Sequence, residues 1–312
     1  MRIAFLGSPD FAVPALEALA SAYEVVGVIT QPDRPAGRGR ILAPPPVKSA
    51  ALRLGLPVLQ PSRLRSPEAT ADLARWEPDM IVVAAYGQIL REDVLALPRH
   101  GCLNVHASLL PRWRGAAPIP AAIRAGDPVT GITIMRMDVG MDTGGILAQA
   151  PLDIGPEDTA ASLTLRLAPL GAALLLDMLP GYLNGDVKPV AQDESRVTLA
   201  PLLKKEDGRL DLTRSAAELE RQVRAFDPWP GTFLEWEGRR LSILRADVFD
   251  ATGLPVGAVT RQGGFPAIGT ARGQLILRQV QPAGRQPVPG DAFLRGTPAF
   301  VNARLAPGAG AS

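Results

Sequence analysis

The sequence predicts an α/β protein: an N-terminal doubly wound, Rossmann-like parallel sheet domain followed by a smaller C-terminal β-barrel (OB-like) domain. Three observations carry that reading. Short apolar runs alternate with helix-spaced segments over the first 185 residues, the pattern of repeated strand–helix units. Beyond about residue 210 the spacing changes to short β-type runs separated by glycine-containing turns, as in small barrels. The length of 312 residues is enough for two domains, each with its own core.

In chain order, residues 2–6 (RIAFL) and 25–29 (VVGVI) read as buried strands. Between them Phe11, Leu16 and Leu19 are spaced for one helix face. The unit repeats: helix at 67–75, strand at 80–85, short helix at 91–97, strand at 102–105, helix at 118–125, strand at 132–137 and a long helix at 159–179. Residues 186–207 are polar, carry prolines and a Lys204-Lys205 pair, and read as a linker. A helix at 214–226 then precedes strands at 232–236, 240–246, 256–261, 266–270 and 274–279. The expected organisation is a domain over 1–185, a linker over 186–207 and a second domain over 208–312.

Hydrophobic residues make up 46% and charged residues 21%, which excludes wholesale disorder. The one cysteine, Cys102, excludes a disulfide framework and a multi-thiolate zinc site. The most apolar stretch, Leu163 to Leu179, is interrupted by Arg166, Pro169 and Asp177, short of the roughly 20 apolar residues of a bilayer span. A soluble, cytoplasmic protein with no membrane partner is expected. Net charge is only +2, yet of the 33 basic residues four are lysine. A GC-rich coding bias accounts for that globally, so the placement of the arginines is what informs.

Chemistry concentrates in 101–119, GCLNVHASLLPRWRGAAPI. On a strand, Cys102, Asn104 and His106 share one face and Leu103 and Val105 the other. Asn104 and His106 then lie about 7 Å apart at the sheet edge where ligands of open α/β folds bind. An amide can donate to an oxyanion and an imidazole can handle a proton near neutral pH, so the pair suits attack on a carbonyl-like carbon. Taken singly, a histidine or an asparagine is more often structural, and on these residues alone the two uses stand level. Downstream, Met137 to Gly144 (MDVGMDTG) reads as a tight loop able to bring an acid to that edge; turn-shaping alone also accounts for Asp138 and Asp142. No metal site is expected there. Cys102 and His106 are about 13 Å apart along a strand, too far for a thiolate–imidazole pair. Ser108 lacks a Gly-x-Ser-x-Gly elbow, and Gly7-Ser8-Pro9-Asp10 departs from the dinucleotide fingerprint. A second segment, Gln31 to Val47, carries Arg34, Arg38 and Arg40 among glycines and prolines; it is either a solvated loop or a phosphate-contacting one. Arg112 and Arg114 around Trp113 form a similar basic–aromatic pattern.

Asn104 through Ile119 (NVHASLLPRWRGAAPI) resembles the signature of the methionyl-tRNA formyltransferases. The resemblance extends through Gly131 to Met135, Met137 to Gly144, Gln31 to Gly39 and Arg224 to Pro230, essentially the whole chain. It implies transfer of a formyl group from 10-formyltetrahydrofolate to the α-amine of methionine on initiator tRNA, without a metal. By the resemblance, Asn104, His106 and Asp142 are the catalytic trio, and Ser108, Leu109, Leu110 and Pro111 line the folate site. Tyr86, Gly87, Ile89 and Asp138 belong to the segments holding the pterin ring. The loop bearing Arg34, Arg38 and Arg40 meets the tRNA acceptor end, the second domain lies along the tRNA, and the chain is expected to be a monomer. The competing readings are a formyltransferase on the same core acting on an amino-sugar nucleotide or glycinamide ribonucleotide, and a tRNA-binding protein without catalysis.

Overall fold

The computed structural model describes residues 1–36 and 41–308. Strand β1 (Arg2–Gly7) leads into helix α1 (Val13–Ala22), which buries Ala15, Leu16 and Leu19, and β2 (Glu24–Ile29) returns parallel to β1. Two short strands, β3 (Arg34–Ala36) and β4 (Ile41–Ala43), pair antiparallel as a separate ribbon within the segment read as a loop. Next come α2 (Pro46–Arg53), β5 (Val58–Leu59), α3 (Pro67–Ala74), β6 (Met80–Ala84), α4 (Glu92–Leu95) and β7 (Cys102–His106). After these follow β8 (Arg114–Gly115), α5 (Pro118–Ala125), β9 (Val129–Arg136), β10 (Ile146–Asp153), α6 (Ala160–Asn184) and β11 (Leu199–Ala200).

The main sheet has seven strands in the order β10-β9-β7-β6-β1-β2-β5. Strands β7, β6, β1, β2 and β5 run parallel, as the strand–helix alternation requires. The sheet is mixed rather than wholly parallel: β9 lies antiparallel to β7 and β10 antiparallel to β9. The chain therefore turns back beside β7, and the loop joining β9 to β10 can reach that strand's ligand edge. The apolar faces explain the layers. Cys102 packs with Ala4, Leu6, Ile81, Val83 and Tyr86 on one face. Val105, on the other, faces Gly171 of α6, where an added Cβ would press on its Cγ1 at 2.9 Å. Helix α6 is long and apolar enough to cross a membrane by length and composition, and it continues through Pro169 and Pro180. Its Leu163, Leu167, Leu175 and Leu179 are fully buried, so it serves as a core helix.

The remaining elements are α7 (Ala216–Ala225), β12 (Thr232–Trp236), β13 (Arg239–Phe249), β14 (Val259–Gln262), β15 (Phe265–Gly269), β16 (Gln274–Pro282), β17 (Val288–Pro289) and α8 (Gly290–Gly296). They form an antiparallel sheet in the order β12-β13-β16-β15-β14, with β17 on β16. Register shifts at Ile243–Arg245 and Arg245–Ala246 bend β13, so the barrel-like spacing of the sequence resolves into a curved sheet. Its core includes Leu210, Leu219, Leu234, Ile268 and Phe300. Trp236 and Phe293 meet Phe300 edge-on at 5.1 and 5.2 Å between ring centroids. Helix α7 starts in a reciprocal cap: Ser215 Oγ accepts from Glu218 N–H, and Glu218 accepts from Ser215. The chain divides into two compact units, one of Met1–Pro118, Val129–Asp153 and Leu163–Pro201, the other of Ile119–Pro128, Ile154–Ser162 and Leu202–Ser312.

Candidate functional site

The alternating pattern of β7 buries Leu103 and Val105 and leaves Asn104 and His106 at the edge of the opposite face, opposite Met135 and Thr133 of β9. Asp142 arrives from the β9–β10 loop and meets both. Asn104 Nδ2 donates to Asp142 Oδ1 at 3.3 Å, and His106 Nδ1 lies 3.6 Å from Asp142 Oδ2. Backbone N–H of Gly115 donates to the same Oδ2 at 2.8 Å. Gly115 sits at φ 118°, and a Cβ there would come within 2.7 Å of the Ala200 carbonyl, so the position that aims this amide at the carboxylate takes only glycine. His106 is 5% exposed. Its Nε2 lies 2.9 Å from the Trp113 carbonyl, which can only accept, so Nε2 carries a hydrogen and Nδ1 is the nitrogen free to take up a proton. A positive ring formed in this way faces a carboxylate on one side and a carbonyl on the other.

The rest of the 101–119 segment builds the floor. Ser108 is buried, its hydroxyl donating to the Arg112 carbonyl at 2.6 Å. The Leu110 N–H donates to Thr133 Oγ1, which in turn donates to the Ser108 carbonyl. Gln149 on β10 donates to the Leu110 carbonyl at 2.9 Å. Ser108 to Pro111 therefore form a rigid rim immediately after His106, with Leu109 and Pro111 half-buried. Asp138 shapes the Asp142 loop, accepting from Gly140 N–H at 3.0 Å and Thr143 Oγ1 at 2.6 Å. Cys102 is buried and its thiol is pushed up to about 12 by burial, which removes it as a nucleophile at neutral pH.

Beside the β6 end lies a cavity of about 600 Å³ lined by Gln31, Ser62, Arg63, Arg65, Gly87, Gln88, Ile89 and Arg91. Gly87, at φ 80°, and the largely exposed Ile89 are on this wall. Tyr86 is not: its ring packs in the core, and burial pushes its phenol up to about 12. Its carbonyl instead accepts from Gln31 Nε2 at 3.1 Å. Asn104, His106 and Asp142 do not line this cavity. Arg34 is exposed and donates to Gln31 Oε1 at 3.3 Å, while Arg38 and Arg40 lie outside the described residues. The foot of that loop is anchored: Lys48 pairs with Asp33 at 2.7 Å, and hydrogen bonds from Lys48 and Gln60 hold the Asp33 carboxyl below its usual range. Among the described residues no cluster of His, Cys, Asp and Glu could hold a metal ion.

A further sequence expectation is corrected. Arg114 does not join Arg112 and Trp113 in a surface patch; it is 4% exposed and forks onto Glu194 at 2.7 and 3.1 Å. Arg112 is exposed, with its guanidinium 4.4 Å over the Trp113 ring. Gln192, absent from the sequence candidates, is buried and donates to the carbonyls of Asp142 and Gly144. Nothing in a polar, proline-containing segment signals such a residue.

Residues 1–179 match the Formyl transferase family and residues 202–298 the Formyl transferase, C-terminal domain family. A methionyl-tRNA formyltransferase of Chloroflexus aurantiacus is 52% identical over 300 residues, covering 95% of this chain and 97% of its own. One from Myxococcus xanthus is 47% identical, covering 98% and 96%. Among solved structures, a sugar 3N-formyl transferase in the presence of dTDP and 5-N-formyl-THF shares the fold with a TM-score of 0.65 at 17% identity, over 92% of this chain and 99% of its own. The chain belongs to the methionyl-tRNA formyltransferase family.

Proposed function

We propose that Asn104, His106 and Asp142 perform the family's reaction in this chain, transfer of the formyl group of 10-formyltetrahydrofolate to the α-amine of methionyl-initiator tRNA. The observation that carries this reading is the convergence of the Asn104 and His106 side chains on the Asp142 carboxylate, at 3.3 and 3.6 Å, across a separation of 38 residues for the first pair. A free α-amine has a pKa near 7.7–8.0, so a good fraction is already neutral and needs no covalent enzyme intermediate. Asn104 Nδ2 donates to the oxygen that gains charge as the amine attacks the formyl carbon. His106 takes up positive charge at Nδ1 and stabilises the same oxygen. Asp142 balances that charge and relays the amine proton through water to N10 of the folate, whose bond to the formyl carbon breaks as the new amide bond is completed and tetrahydrofolate leaves.

The donor fits the residues present. The cavity at Gly87–Ile89 combines apolar wall with amide groups for a pterin, and Arg63, Arg65 and Arg91 suit the carboxylates of a folate tail. Ser108, Leu109, Leu110 and Pro111 form the rim next to His106, and Asp138 keeps the loop across from it in shape. We assign residues 1–185 to the formylfolate-binding catalytic domain, 186–207 to the connection and 208–312 to tRNA binding, with Arg34, Arg38 and Arg40 at the acceptor end. We read the protein as a cytoplasmic monomer.

The test is to incubate purified protein with 10-formyltetrahydrofolate and either charged initiator or charged elongator methionine tRNA. Formylmethionine forming on the initiator alone supports the reading. Formylation of an amino-sugar nucleotide in its place, or no transfer at all, overturns it.

A further inference from the structure

His106 is flanked by two residues with left-handed backbone, Trp113 at φ 64° and Asp142 at φ 53°. That conformation is uncommon in non-glycine residues, most of all in a bulky one such as tryptophan, and is held in place by surrounding contacts. Trp113 supplies the carbonyl that receives Nε2–H, and Asp142 the carboxylate facing Nδ1. Both are gripped by one stretch of chain, residues 192–200. Gln192 donates its two amide hydrogens to the carbonyls of Asp142 (2.8 Å) and Gly144 (2.7 Å), and its Oε1 accepts from Arg114 Nε at 3.0 Å. The orientation of that amide is dictated by its partners, since two carbonyls can only accept and a guanidinium can only donate. Six residues on, Thr198 Oγ1 accepts from the Trp113 N–H at 2.9 Å. Its carbonyl accepts from the Arg114 N–H at 2.9 Å, where the pairing of β11 with β8 begins. Buried Arg114 joins the halves, bonded to Gln192 and, by its fork, to Glu194.

We infer that residues 192–200 are a positioning brace for formyl transfer, with Gln192 acting through Asp142 and Thr198 acting through Trp113. The inference rests on the assignment of the trio under Proposed function. Without the Gln192 donors the Asp142 backbone relaxes from its left-handed conformation and carries the carboxylate away from Asn104 and His106. Without the Thr198 acceptor the Trp113 carbonyl drifts and the imidazole loses its tautomer anchor. Displacements of about 1 Å at such a site cost on the order of 10²-fold in rate.

The experiment compares Gln192→Glu, Thr198→Val and Thr198→Ser with wild type, measuring kcat per folate-binding site and KM for both substrates. Gln192→Glu keeps the shape and the contact with Arg114 but puts an acceptor oxygen in place of the Nε2 donor, facing two carbonyls that cannot donate to it. Thr198→Val keeps the shape and removes the acceptor; Thr198→Ser restores it. Expected is a loss of about 10–100-fold in kcat for the first two, KM held, and recovery in Thr198→Ser. A purely structural role reduces the number of folate-binding sites and leaves kcat per site intact. Should Gln192→Glu fail to fold, the Val and Ser pair at 198 decides. The brace is overturned if kcat per site stays within about twofold of wild type in every folded variant while Asp142→Asn lowers it. If Asp142→Asn and Asn104→Ala also leave kcat intact, it is the trio assignment that falls.

Discussion

Replacing Asp142 with asparagine separates the charge of this residue from its shape. The carboxylate accepts from Gly115 N–H at 2.8 Å and from Asn104 Nδ2 at 3.3 Å, and lies 3.6 Å from His106 Nδ1. An amide offers one oxygen and one NH₂ in their place. Either Gly115 loses its acceptor, or the Asn104 amide turns over to present its oxygen, which takes its donor away from the substrate. The larger loss is charge. Positive charge developing on the ring only in the transition state lies 3.6 Å from this carboxylate, a charge pair worth about 4 kcal/mol at an effective dielectric near 20. At 1.36 kcal/mol per tenfold, that is about 10³ in rate if the whole of it is realised only in the transition state. The expected outcome is kcat lower by about 10³ with KM for folate and tRNA held within about threefold. The assay follows formylmethionyl-tRNA at saturating levels of both substrates, alongside a thermal melt. A folded Asp142→Asn protein that keeps more than about a tenth of wild-type kcat refutes the charge argument.

Asn104→Ala is expected to lower kcat by about 10²–10³ through loss of an oxyanion donor, read in the same assay. Arg38→Ala should raise KM for tRNA, and flatten its dependence on salt, while leaving folate binding unchanged by equilibrium titration. Glu218, held at about 2 by its bonds to Ser215 and Arg214, contributes stability that is present above its unfolded value near 4.5 and lost as pH falls from there toward 2. The melting temperature of Glu218→Gln should therefore lie below wild type at neutral pH, and the gap should close on acidification across that window. Gly27→Ala sets a Cβ against the Trp76 ring; about 1–3 kcal/mol should be lost in urea denaturation, with kcat per folded molecule unchanged.

What could be read from residues alone follows the range of the interactions involved. Strand β7 was legible because Leu103 and Val105 alternate with Cys102, Asn104 and His106, a two-residue period that needs no partner to be seen. Strand β10 was not: Ile146–Asp153 is a half-exposed edge containing Pro151, and its pairing with β9 is what makes it a strand. The β3–β4 ribbon was hidden in the same way by Arg34 and Pro35. At the site, Asp142 could be placed on a loop, but its bond to Asn104 spans 38 residues. The burial of Arg114 and Gln192 depends on each other, 78 residues apart. A basic residue beside a tryptophan looks like surface until its carboxylate and amide partners are known.

The return of β9 beside β7 has a consequence for how this enzyme can vary. The arc that carries Asp142 is closed at its base, where Arg136 N–H donates to the Gly145 carbonyl at 2.9 Å, and tethered at its start by Met137 N–H on the Cys102 carbonyl at 2.8 Å. Gly144 passes so near the Arg136 carbonyl that no side chain fits. With its ends held in this way, the position of the acid is tied to the register of β9 against β7, while the side chains of Val139 and Met141, both exposed, are the ones that can be exchanged without touching that frame.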